Sequence, residues 1–161
     1  MLIKMLIKGI IDCDLINYKE PCLIIETPKC SFKCDKECGM QVCQNSSLAS
    51  APVIDISIEK IIEYFDSNLI TKAICFQGLE PFDTFNDMFS FIQNFRIAHD
   101  DFIVIYTGYN KNEIEKEIEL LKQYKNIIIK FGRFIPNQQS RHDNILGVNL
   151  SSNNQYAEVI C

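Results

Sequence analysis

The chain of 161 residues carries no apolar run of the roughly 18–20 residues that a membrane-crossing helix needs. Its opening, Met1 to Lys8, interrupts short apolar pairs with lysines. It offers neither a continuous apolar stretch nor a small-residue cleavage site, so a signal peptide is not expected. Positive charge is also scarce. Sixteen Lys and Arg against 21 Asp and Glu leave a net charge of −5 and a pI near 5.0, which argues against a broad basic field for nucleic acid. No repeat, low-complexity tract or Pro/Gly/Ser-rich linker divides the chain. One domain over 1–161 is therefore expected, with its core at about 22–136 and a C-terminal loop and tail at 137–161. What is present is 47% apolar and 23% charged residues, the ordinary balance of a folded globular protein.

Cysteine is the informative residue. Of eight, Cys30, Cys34, Cys38 and Cys43 lie between positions 30 and 43, while Cys13, Cys22, Cys75 and Cys161 are scattered. A secreted scaffold spreads its cysteines to staple distant segments. A tight cluster instead suggests a reducing cytoplasmic setting and a metal or iron–sulfur site. Cys13, Cys22 and Cys75 are expected to be small buried residues. The gaps within the cluster are three, three and four residues, and no Cys-x2-Cys pair is present. That spacing weakens a zinc assignment without removing it. Three thiolates on an iron–sulfur cluster would leave one iron open to a small molecule, whereas full protein ligation suits electron transfer.

Residues 22–27 read as a short buried strand that feeds the cysteine loop. Ile58, Ile61, Ile62 and Phe65 follow helical spacing, with Ser57 as the N-cap. Residues 73–76 read as a strand ended by Gly78 and Pro81. Phe85, Met88, Phe89, Ile92 and Phe95 mark a second helix, whose phenylalanines are expected to be core. Residues 102–106 form a strand. Ile114, Ile118 and Leu121 mark a third helix with a solvated Glu/Lys face, and 127–131 form a last strand. Strands alternating with helices imply an α/β fold of parallel strands. Four units are too few for an eight-stranded barrel of about 250 residues. The expected architecture is an open partial (β/α) barrel with outer helices and the cysteine-rich loop after the first core strand. Its site belongs at the C-terminal strand ends, where the cysteine loop, Gln77 to Pro81, Thr107 to Tyr109 and Gly132 to Pro136 all fall.

These segments resemble the radical S-adenosylmethionine enzymes, and more narrowly the small activating proteins of anaerobic ribonucleotide reductases, over roughly residues 22–159. The resemblance implies a 4Fe-4S cluster held by three cysteines of a Cys-x3-Cys-x2-Cys loop. Its free iron is chelated by S-adenosylmethionine. One electron from a low-potential donor then cleaves the sulfonium to methionine and a 5′-deoxyadenosyl radical. That radical takes a hydrogen from a glycine of the large reductase, the glycyl radical partner, in an anaerobic cytoplasm. The cofactor carries the chemistry, while the protein binds and orients it.

Cys30 and Cys34, with Phe32 between them, match the first two family cysteines. The family spacing puts the third at Glu37, so this chain departs there. Cys43-Gln44-Asn45 resembles the Cys-aromatic-Asn that closes the family loop, which makes Cys43 the favoured third ligand, with Lys36 to Val42 as an insertion. Cys38 is the alternative third ligand. A fourth protein ligand would block the open iron. Gly78-Leu79-Glu80-Pro81 resembles the Gly-Gly-Glu-Pro segment that binds the amino group of S-adenosylmethionine, with Leu79 in place of the second glycine. Tyr106-Thr107-Gly108-Tyr109 resembles the segment after the third strand, which adds Thr107 and Gly108 to the cofactor-binding set. Gly132-Arg133-Phe134 resembles Asp-Gly-x-Phe, but Phe131 replaces the Asp, so any role of that carboxylate is lost. Ser151 to Gln155 resembles a C-terminal Ser-Ser-Asn-Gln near the cofactor or partner face.

His99 and His142 are expected at the surface. Arg133 and Arg141 suit a carboxylate or the partner surface. Two other classes remain open from the residues: a radical S-adenosylmethionine enzyme acting on a small molecule of the 7-deazaguanine type, or a non-catalytic four-Cys iron–sulfur or zinc module.

Overall fold

A computed structural model describes residues 1–43 and 45–161. Ten strands run β1 (Lys4–Ile7), β2 (Gly9–Asp14), β3 (Cys22–Thr27), β4 (Ile54–Ser57), β5 (Ala73–Gly78), β6 (Phe102–Tyr106), β7 (Ile127–Phe131), β8 (Arg141–Asp143), β9 (Val148–Leu150) and β10 (Tyr156–Val159). Four α-helices are α1 (Lys33–Cys38), α2 (Ile58–Ser67), α3 (Phe85–Phe95) and α4 (Glu115–Leu121). The main sheet has six strands in the order β10-β7-β6-β5-β3-β2. Its centre, β3-β5-β6-β7, is parallel, and both edge strands are antiparallel to their neighbours. The fold is thus mixed α/β, and the sheet is open, with β2 and β10 as its two edges.

The central strands are apolar on both faces because both faces are covered. Leu23, Ile25, Ile74, Phe76, Ile103, Ile105, Ile127, Ile129 and Phe131 point toward the helices. Against them pack Ile58, Ile61 and Phe65 of α2, Met88, Phe91, Ile92 and Phe95 of α3, and Ile118 and Leu121 of α4. Each set follows the three- and four-residue spacing that gives a helix one apolar stripe. Ser57 caps α2 by accepting from Lys60 N at 3.2 Å. Among the described residues the opposite face, with Cys22, Ile24, Ala73, Cys75, Val104 and Ile128, carries no α-helix. Tyr18, Leu146 and Leu150, from two non-helical segments, cover it. Lys19 N to Leu146 O at 2.7 Å ties those segments together. Buried Asp143 anchors the second one, accepting from Ile145 N, Leu146 N and Ala157 N.

The strand order advances in one direction from β3 to β7, and α2, α3 and α4 lie on one face. A doubly wound sheet would reverse its order and place helices on both faces. All four central strands therefore present their C-terminal ends at one edge.

Two expectations for single residues fail. Cys13 is exposed, because it lies where β2 slips against β3 between Ile11 and Asp14. His99 is not solvated. Its side chain, 17% exposed, stacks on Phe95 at 4.5 Å between centroids and sits 3.1 Å from Asp66 and 3.7 Å from Asp101. His142 is exposed as expected, and Arg141 beside it is exposed too. Among the described residues no helix is long and apolar enough to cross a membrane.

Candidate metal and cofactor site

A cavity of about 410 Å³ opens at the C-terminal edge of the parallel strands. Cys30, Cys34 and Cys43 line it together with Gly78, Leu79, Glu80, Thr107 and Gly108. Gly132, Phe134, Ser151 and Gln155 line it as well. Segments separated by most of the chain therefore meet in one place. Cys38, at the end of α1, and Pro81 are not among the lining residues. Gln44 lies outside the described residues.

Gly78 is required by its backbone. Its φ of +94° disfavours any side chain, and a Cβ would stand 2.9 Å from Leu48 Cδ2 and 3.1 Å from Glu26 Cα. Pro81 then starts a 3-10 turn, Pro81–Thr84, where a missing N–H costs nothing. Glu80 is buried and braces two strand ends. Its Oε1 accepts from Thr107 Oγ1 at 2.7 Å and Phe82 N at 3.1 Å, and its Oε2 accepts from Gly108 N at 2.8 Å. Burial pushes its carboxyl up to about 7, against the pull of those three donors. Asp83 extends the brace to the cysteine loop, accepting from Ser31 N at 2.8 Å and from Tyr109 Oη at 2.5 Å.

The cysteine loop is shaped by polar ties. Phe32 takes a left-handed conformation, φ 53° and ψ 43°, and its N–H donates to Cys30 Sγ at 3.2 Å. Burial pushes the Cys30 thiol up to about 11, with that N–H working against it. Burial also raises the Cys34 thiol, while a backbone N–H from Phe134 and the charges of Lys130 and Arg133 lower it. Asp35 accepts from Val42 N at 2.7 Å and from Cys43 N at 2.8 Å. This carboxylate folds the insertion back, so Cys43 returns to the neighbourhood of Cys30 and Cys34, both of which feel its charge.

Helix α1 buries no residue. Charges hold it instead. Lys33 lies 4.2 Å from the centroid of the Tyr109 ring and 3.7 Å from Glu113 Oε1. Arg133 clamps Glu113 with two bonds, 2.8 and 2.6 Å, and its Nε contacts Glu37 Oε1 at 3.0 Å. That Nε contact lacks hydrogen-bond alignment and acts as an ion pair. Sequence reasoning did not find Asp35 or Lys130, because each works through a fold-dependent neighbour.

Among the described residues, no three His, Cys, Asp or Glu side chains converge on a single ion. An iron–sulfur cube makes no such demand, since each of its irons takes its own thiolate. Three soft sulfurs around one cavity, with backbone N–H groups directed at two of them, suit such a cluster. Residues 23–157 match a family described as a 4Fe-4S single cluster domain. No curated protein and no solved structure matches the chain.

Proposed function

This chain belongs to the 4Fe-4S single cluster domain family, and within it we propose a radical S-adenosylmethionine activating enzyme whose substrate is a glycine of a large anaerobic ribonucleotide reductase. One observation carries the reading. Three of the four clustered cysteines line a single cavity with the segments that end β5 and β6, and the fourth does not. On this reading Cys30, Cys34 and Cys43 would hold three irons of the cluster, and the fourth would have no protein thiolate. Cys38 is then a spare thiol.

The one-way strand order, with helices on one face only, supports a partial barrel whose helix-free side holds the ligand. When bound, S-adenosylmethionine and the reduced cluster supply a 5′-deoxyadenosyl radical and methionine. The chain's own residues bind and orient. Gly78 lets backbone approach the ligand closely. Glu80 fixes the ends of β5 and β6, and one acceptor position on Oε2 is left for an ammonium group. Thr107 is held by Glu80 and holds Tyr109, its Oγ1 accepting from Tyr109 N at 3.0 Å. Ser151 and Gln155 close the far wall. The electron donor is a low-potential one-electron carrier.

Anaerobic reconstitution tests the proposal. It predicts about four irons per chain and formation of 5′-deoxyadenosine with dithionite and S-adenosylmethionine. Cys38→Ser keeps both, and Cys43→Ser loses both. A chain that keeps its cluster but never cleaves S-adenosylmethionine is instead a non-catalytic iron–sulfur module.

A further inference from the structure

Strand β7 contains a residue that its pattern does not predict. Ile128 and Lys130 share the sheet face that carries no α-helix, and Lys130 is only 6% exposed. Its ammonium donates to Gly132 O at 3.2 Å and lies 5.6 Å from the centroid of the Tyr106 ring. Among the described residues no carboxylate lies within ion-pair distance of it. Glu80, whose charge it feels, makes no ion pair with it and accepts instead from Thr107, Phe82 and Gly108. Burying an ammonium ion with no opposite charge in contact is costly. Lys130 also lines the cavity that holds the three thiols. Burial pushes the Lys130 ammonium down to about 8 while the charges of Glu80 and Cys34 hold it up, and Lys130 in turn offsets part of the upward push that burial gives the Cys34 thiol.

We propose that Lys130 is a positioning residue for electron uptake: its fixed positive charge offsets the electron that a cluster on Cys30, Cys34 and Cys43 accepts, and so raises the cluster's reduction potential. The balance is simple. One electron arrives from a low-potential one-electron reductant, the cluster is reduced by one, and Lys130 keeps its proton. No bond forms or breaks. Added negative charge in a buried cavity is costly, and a nearby cation offsets it more strongly there than in water. The inference needs the cluster but not S-adenosylmethionine, so it stands or falls separately from the activating-enzyme reading.

The test uses reconstituted holoprotein with no added ligand. Iron and sulfide are counted, and the potential is read by anaerobic spectroelectrochemistry with the spin signal of the reduced cluster. Lys130→Met and Lys130→Gln should leave the iron count unchanged. Each should lower the reduced-to-oxidised ratio at a fixed potential about tenfold, or 59 mV for one electron. Lys130→Arg should stay within about threefold of the parent. A full cluster with unchanged potential in both neutral variants overturns the proposal and leaves the ammonium to a bound anion. If the neutral variants lose the cluster and Lys130→Arg keeps it, the charge serves assembly of the cluster and the electron-uptake proposal is overturned. Loss in all three overturns it, because the side chain's fit would then be what matters.

Discussion

Glu80 makes the stability of the metal-free chain depend on pH in an unusual direction. Its carboxyl titrates near 4.5 when unfolded and at about 7 in the fold, where burial outweighs the three donors on its oxygens. Between those values the folded chain holds a proton that the unfolded chain has lost. Stability therefore falls as pH rises. The gap at about 1.4 kcal/mol per pH unit amounts to about 3 kcal/mol. That contribution is fully present below pH 4.5 and gone above pH 7, so a reduced, chelator-treated chain should lose stability between pH 4.5 and 7. Urea unfolding at each pH reads it directly. Glu80→Gln removes the titration and flattens the profile. It also turns an amide N–H₂ toward Gly108 N–H, which costs about 1–3 kcal/mol at every pH. A level profile in the parent chain, or the same slope in Glu80→Gln, would refute the assignment. The measurement must stop near pH 8, because buried thiols such as Cys22 and Cys30, raised to about 12 and about 11, impose their own losses at higher pH.

Arg133→Met removes the clamp that holds the Glu113 carboxyl down to about 2. In the parent, that interaction stabilises the fold above pH 4.5 and is lost as pH falls toward 2. With Glu113 28% exposed and screened by solvent, the variant should lose about 1 kcal/mol near neutrality and show a shallower acid limb in urea titrations. Phe91→Ala opens the core where Phe91 meets Phe76 at 5.4 Å and Phe95 at 5.5 Å between centroids, and should cost about 3–5 kcal/mol in the unfolding midpoint. Gly78→Ala forces a Cβ onto Leu48 and Glu26 at positive φ. It should cost about 2 kcal/mol by the same assay and lower the iron retained. Asp35→Ala frees the backbone of Val42 and Cys43. Iron per chain after reconstitution should drop toward that of Cys43→Ser, while Cys38→Ser retains the parent value.

The parallel core was legible because two-sided burial writes itself as unbroken β-branched runs. Residues 22–27, 102–106 and 127–131 were bounded as the strands are, and Ser57 was correctly placed as a cap. The antiparallel pieces were not legible. Gly9–Asp14 mixes charge with a slipped register, and Tyr156–Val159 is too short to show a period. Their identity as strands comes from a neighbour's free edge and not from their own pattern. The same holds for single residues. His99 looked polar beside Asp100 and Asp101, yet two phenylalanine rings enclose it. At the site, strand-end logic gathers segments that line one cavity. Spacing could not reveal which thiols face one cavity, because Asp35 bends the loop through backbone bonds that leave no trace in residue order.

Two different forces thus hold one site. The sheet and its helices are set by apolar packing, which is insensitive to salt and continuous over the core. The cysteine helix, burying nothing, is set by Lys33, Glu37 and Glu113 around the buried Arg133 and by Asp35 and Asp83 along the loop. Such polar ties are individually weak in water. They suffice because each ends on a rigid strand end or on a residue that Glu80 has already fixed. Glu80 is therefore the joint between the two regimes. It is anchored in the core, yet its carboxylate braces the strand ends β5 and β6, beside which the thiols lie. A core substitution such as Phe91→Ala should lower global stability and leave iron retention in the folded fraction intact. A loop substitution such as Asp35→Ala should do the reverse. Changes at the ends of β5 and β6, at Glu80 as at Gly78, should move both together.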